Sequence, residues 1–201
     1  MRNTLTLIMA FLTITSFAQK DKKATDLLSQ VSAKTKSYKT LKVEFSYNMD
    51  NSKANIHESK SGTLSLQGDK YRLNIAGQTV ISDGKTTWTY IKDANEVQVN
   101  SVADNEEAFT PTRLLSSYNE NYKSKIVKGK TSDPNSITVE LVPLKGKNYS
   151  RVLLVIDKEK KQPKSFSVYD KNGNVFSYKI NKSIFFRDLI SRSTSKWVSY
   201  F

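Results

Sequence analysis

One histidine, no cysteine and a scatter of carboxylates are the groups with which this 201-residue chain could do chemistry. His57 stands beside Glu58 in the polar run DNSKANIHESKS, from Asp50 to Ser61, which reads as a mobile hairpin loop. A nucleophilic triad would need that histidine to meet an activated serine or cysteine, and the chain has neither a cysteine nor a nucleophile elbow. A zinc site fails for want of ligands. Asp83, Glu96, Glu106 and Glu107 could pair for glycoside chemistry. Asp83 is more simply the turn residue before Gly84, and Glu106-Glu107 precede a predicted helix start, where negative charge is favourable. No glycine loop would cradle a phosphate. The expectation is a binding protein without catalysis, cofactor or metal.

The elements that would position a binding surface follow from periodicity. In ATDLLSQVSAKTKSY, Ala24, Leu27, Leu28, Val31 and Tyr38 recur at helical spacing and predict an amphipathic helix over Ala24 to Tyr38. The period then becomes two: Leu41, Val43, Phe45 and Tyr47 alternate with Lys42, Glu44, Ser46 and Asn48. Similar runs continue through VISDGKTTWTY, in which Trp88 and Tyr90 point the same way around an Asp83-Gly84 turn. Thr110 as N-cap, Pro111 at the first helical position and Leu114, Leu115 and Tyr118 on one face predict a short helix. Five further strands are predicted between Lys123 and Asn181. About ten strands with short loops describe a strongly curved antiparallel sheet or barrel in one domain.

One parity of these strands carries Phe45, Tyr47, Leu64, Leu66, Tyr71, Leu73, Trp88, Tyr90, Leu141, Leu154, Phe166, Val168, Phe176 and Tyr178. That alternation suits equally a binding cavity capped by helices and a core filled by them.

Arg2, the apolar stretch from Leu5 to Phe17, and Ser16 and Ala18 before Gln19 read as a secretory signal peptide over residues 1–18. The stretch falls short of the roughly 20 apolar residues of a spanning helix. The chain is therefore expected to be exported and soluble, and the missing cysteine denies it a diacylglyceryl anchor. The formal charge is +13; removing the leader removes only Arg2 and leaves +12. Such a balance favours anionic membranes, acidic proteins or nucleic acid. The lysines are spread rather than clustered, which argues for a solvated surface and against nucleic-acid binding.

The segments LLSQVSAKTKSYKTLKVEFSY, SGTLSLQGDKYRLNI, VISDGKTTWTYIKDANEVQV and FTPTRLLSSYNENY, in this order over Ala24 to Asn181, resemble the periplasmic outer-membrane lipoprotein carrier family (LolA-like). The resemblance implies a mainly β fold: an unclosed antiparallel barrel of about ten or eleven strands under a lid of short α-helices, filling 19–201. It implies a monomeric periplasmic carrier that takes acylated lipoproteins from an inner-membrane ABC transporter to the outer membrane, leaving the acceptor there unidentified. Phe45, Tyr47, Leu64, Leu66, Tyr71, Leu73, Trp88, Tyr90, Leu115, Leu141 and Leu154 are then expected to line the cavity. Leu27, Leu28, Val31, Leu114 and Tyr118 would form the lid, held by modest contacts, and Arg72 is the basic residue placed to gate transfer. A sensor of lipid or mislocalised lipoprotein on the same fold is the alternative; an envelope hydrolase lacks a nucleophile and base. Residues 183–201 depart from the family's ending, although codons for Ile190 to Ser195 displaced by one base can spell a family-like Phe-Thr-Phe-Asp-Lys.

Overall fold

The computed structural model describes residues 21–102 and 118–186. The signal sequence, the Thr110-Pro111 helix start with Leu114 and Leu115, and the Ile190 to Ser195 stretch lie outside the described residues.

Helix α1 is Lys22–Lys36. Asp21 caps it, its carboxylate accepting the Lys23 and Ala24 N–H groups at 3.0 and 3.3 Å, and Lys34 and Lys36 sit in the last turn, where positive charge complements the helix dipole. The predicted stripe is the buried face as far as Val31, with Ala24, Leu27, Leu28 and Val31 almost fully enclosed, but Tyr38, expected on the same stripe, lies beyond the helix end and is only half-buried.

Eleven strands follow: β1 Thr40–Asn51, β2 Ile56–Gln67, β3 Lys70–Ile75, β4 Gln78–Ser82, β5 Thr86–Ile91, β6 Glu96–Ser101, β7 Tyr122–Val127, β8 Ser136–Pro143, β9 Tyr149–Asp157, β10 Gln162–Asp170 and β11 Val175–Phe186. They form one antiparallel sheet in the order β6-β5-β4-β3-β2-β1-β11-β10-β9-β8-β7, left unclosed between the β6 and β7 edges. Two meanders are thus joined where β1 pairs with β11. Residues 118–121 are helical, and Tyr118 packs against the core. No helix among the described residues is long and apolar enough to cross a membrane.

Two expectations are corrected. The run from Asp50 to Ser61 is not a loop: β1 and β2 extend through most of it, and the turn is only the stretch after Asn51, whose side-chain oxygen accepts the Lys53 and Ala54 N–H groups at 3.1 Å. Most of its β2 arm is solvent-exposed, so no apolar alternation marked it as strand. Strand β11 likewise runs to Phe186, past Asn181 where the last predicted strand ends.

α1 packs over the β7–β10 half. Leu28 and Val31, together with Val139, Leu141, Val152 and Ile156 beneath them, have no accessible surface.

Candidate functional site

Residues directly opposite one another in an antiparallel pair point to the same side of the sheet, so the register assigns side chains to two faces. Leu154 of the α1 core lies opposite Phe166, Phe166 opposite Tyr178, and Tyr178 opposite Tyr47. From this seam the α1 face continues into the first meander. One row there runs Leu41, Leu66, Tyr71, Ser82; the next runs Val43, Leu64, Leu73, Val80; a third runs Phe45, Gly62, Ile75, Gln78. Leu64, Leu66, Tyr71 and Leu73 are half-buried, an apolar surface beside the helix rather than under it. Leu41, Val43, Ile75 and Val80 extend it; the alternation placed Leu41 and Val43 on a strand, but only the register joins them to Leu66 and Leu64.

Aromatic rings form the seam. Tyr178 stacks on Phe166 with centroids 4.6 Å apart and meets Tyr47 at 5.1 Å and Phe45 at 6.1 Å. Burial pushes the Tyr178 hydroxyl up to about 12 and raises that of Tyr47, as expected where a phenolate would lack solvation. The Phe45 ring lies over Gly62: a Cβ at position 62 would come within 2.5 Å of Phe45 Cζ and 2.8 Å of the Asn74 carbonyl oxygen.

Several predicted lining residues stand elsewhere. Trp88 is opposite Ile81 and shares a row with Arg72, Ser65 and Lys42; Tyr90 is opposite Thr79 and shares one with Asn74, Thr63 and Glu44. Both rows are on the face away from α1, where Trp88 is 36 % and Tyr90 38 % exposed. The turn decides this. Asp83 accepts the Lys85 and Thr86 N–H groups, both at 2.8 Å, and the resulting loop pairs Ser82 with Thr87, so Thr87 and Thr89 take the inner positions. Arg72, the expected gating residue, is on the outer face as well. Leu141 and Leu154 do face inward, but at 0 % and 2 % exposure they are packed core beneath α1, which fills that half.

Nor is α1 lightly held. At its start the Asp21 carboxylate accepts the Ile126 N–H of β7 at 3.0 Å, a bond that is the main cause of its lowered pKa, and Thr25 Oγ1 lies 3.4 Å from Ser124 Oγ. Beyond its end, Tyr38 stacks on Phe185 at 4.2 Å and accepts a hydrogen bond from Gln162 Nε2 at 2.7 Å.

The outer face carries a groove of about 580 Å³ lined in part by Glu44, Thr63, Asn74, Thr79, Tyr90 and Lys92. Asn74 braces it, donating to Thr63 Oγ1 at 3.1 Å and accepting from Thr79 Oγ1 at 2.9 Å. His57 makes an exposed pair with Asp50 at 2.9 Å. Among the described residues no group of three histidines or acids is placed to hold a metal ion.

Comparison with known proteins agrees with this architecture. The sequence profile of the family described as outer membrane lipoprotein carrier protein LolA matches residues 36–184. Among solved structures, the chain is similar to an uncharacterized conserved protein from Thermus thermophilus, with TM-score 0.54 and 12 % identity, covering 84 % of this chain and 90 % of that one. It is also similar to the Mycobacterium tuberculosis lipoprotein LppX, with TM-score 0.52 and 12 % identity, covering 86 % and 100 %. No curated protein sequence matches.

Proposed function

The chain belongs to the outer membrane lipoprotein carrier (LolA) family, and from that premise we propose that it is an exported carrier that shields the acyl chains of lipoproteins between the inner and outer membranes. The observation that carries the reading is the apolar surface of β1–β4, in which Leu64, Leu66 and Leu73 remain half-buried on the same face as α1. A structural core would enclose such side chains as fully as it encloses Leu141.

The energetics explain why a carrier needs that surface. At about 0.8 kcal/mol per methylene, the chains of a lipoprotein would cost on the order of tens of kcal/mol in water. An apolar sheet face replaces the bilayer for them, while residual exposure limits affinity and permits release. On this reading an ABC transporter in the inner membrane loads the protein. The aromatic seam at Tyr47 and Tyr178 bounds the acyl site on the side where α1 already occupies the concavity.

Incubating the chain from Gln19 with spheroplasts or inner-membrane vesicles, then analysing the soluble complex by mass spectrometry, tests this. Stoichiometric acylated lipoprotein is expected. Folded protein that emerges empty, or with phospholipid alone, contradicts the carrier reading and favours a lipid sensor.

A further inference from the structure

We propose that the outer face of the sheet at its β6 edge docks the protein onto an anionic bilayer surface. Five apolar side chains meet there. Val99 lies opposite Trp88, and Trp88 opposite Ile81; Val97 lies opposite Tyr90. Val97 and Val99 are 55 % and 60 % exposed, and Trp88 and Tyr90 more than a third, an apolar patch that no packing among the described residues encloses. Indole and phenol rings favour the headgroup level of a bilayer, where one end is apolar and the other wet.

Charge selects the occupant. Lys42 and Arg72 complete the row of Trp88, Lys70 stands two positions before Arg72 on β3, and Lys92 follows β5. Against them stand Glu44 on the face and Asp69, Asp83 and Asp93 in the adjoining turns, with Lys85 beside Asp83; Asp83 is held by its own turn N–H groups and lies close enough to Lys70 to feel its charge. The chain as a whole carries +13, which draws it toward an anionic leaflet and opposes pairing with a second copy through the same face. The docking surface does not rest on the carrier reading, because it lies on the face opposite the acyl site and needs no cargo.

The test uses the chain from Gln19 with Trp197→Phe, which leaves Trp88 as the one tryptophan. Vesicles of phosphatidylethanolamine and phosphatidylglycerol should co-float with it and shift Trp88 emission to the blue; phosphatidylcholine vesicles should do neither. Val97→Asp with Val99→Asp, both exposed and so harmless to folding, should weaken partitioning about tenfold or more. Salt at about 0.5 M should weaken it further by screening. Leu64→Glu with Leu73→Glu should leave the blue shift in place, separating docking from acyl binding. An unshifted Trp88, partitioning indifferent to the valine changes, or a dimer that those changes dissolve would each overturn the proposal.

Discussion

At the scale of single residues, Gly62 bears directly on the inner face. Any side chain there must displace the Phe45 ring and meet the Asn74 carbonyl, which cannot yield without moving β3. Gly62→Ala should therefore destabilise the fold by about 1–3 kcal/mol in urea titrations, and Phe45→Leu in the same chain should recover part of the loss. Asp133 gives a prediction in pH. The Lys164 ammonium, 2.5 Å away, is the main cause that lowers its carboxyl to about 2, with the Ser136 hydroxyl and the Asn135 N–H assisting. Because the folded value lies below the unfolded one, the pair contributes fully above the ordinary carboxylate range and is lost as pH falls from about 4 toward 2. Melting temperatures of Asp133→Asn should decline less steeply over that interval than those of the parent. The aromatic pair at Trp88 and Tyr90 shows where residue type misleads. Large rings suggest an interior, yet a sheet in half-solvated surroundings can turn threonines inward, and only the pairing of Ser82 with Thr87 decides which parity is which.

At the scale of elements, α1 was legible because its apolar spacing and its burial are the same fact, and the observed stripe matches the predicted one from Ala24 to Val31, though not at Tyr38. Its role was less legible: how firmly a helix is held depends on partners distant in sequence, here Ile126 to Asp21 and Phe185 to Tyr38. Removing the first, by Asp21→Ala, takes away the N-cap and the tie to β7 together. A loss of about 1–2 kcal/mol is expected, with earlier hydrogen exchange across the first turn of α1. With the proposed acyl site beside α1 on β1–β4, the helix need not leave. Thr25→Cys with Ser124→Cys, at positions whose hydroxyls lie 3.4 Å apart in a chain without native cysteine, should form a disulfide that pins α1 to β7. The oxidised protein should still take up acylated lipoprotein in pull-downs; uptake restored only by reduction would identify α1 as the moving lid.

At the scale of the whole molecule, the two meanders and their junction reveal what the sequence could and could not carry. Hairpins such as β3–β4 and β4–β5 are announced by local turns at Gly77 and Gly84, both with positive φ. The closure of β1 on β11, which unites the sheet and sets Tyr47 against Tyr178, spans residues too far apart for any local signal. The division of labour emerges only at this level: one half of the concavity is filled by α1, the other keeps an apolar surface half-buried, and the reverse side bears the exposed rings. The measurement that bears most directly on this division is native mass spectrometry of the chain with a triacylated lipoprotein, comparing Leu64→Glu with Leu73→Glu against Trp88→Glu, each checked for folding by circular dichroism. The account expects the leucine pair to lose the complex and Trp88→Glu to retain it; a folded leucine variant that binds undiminished, or loss confined to Trp88→Glu, would contradict the placement of the acyl site on the α1 face.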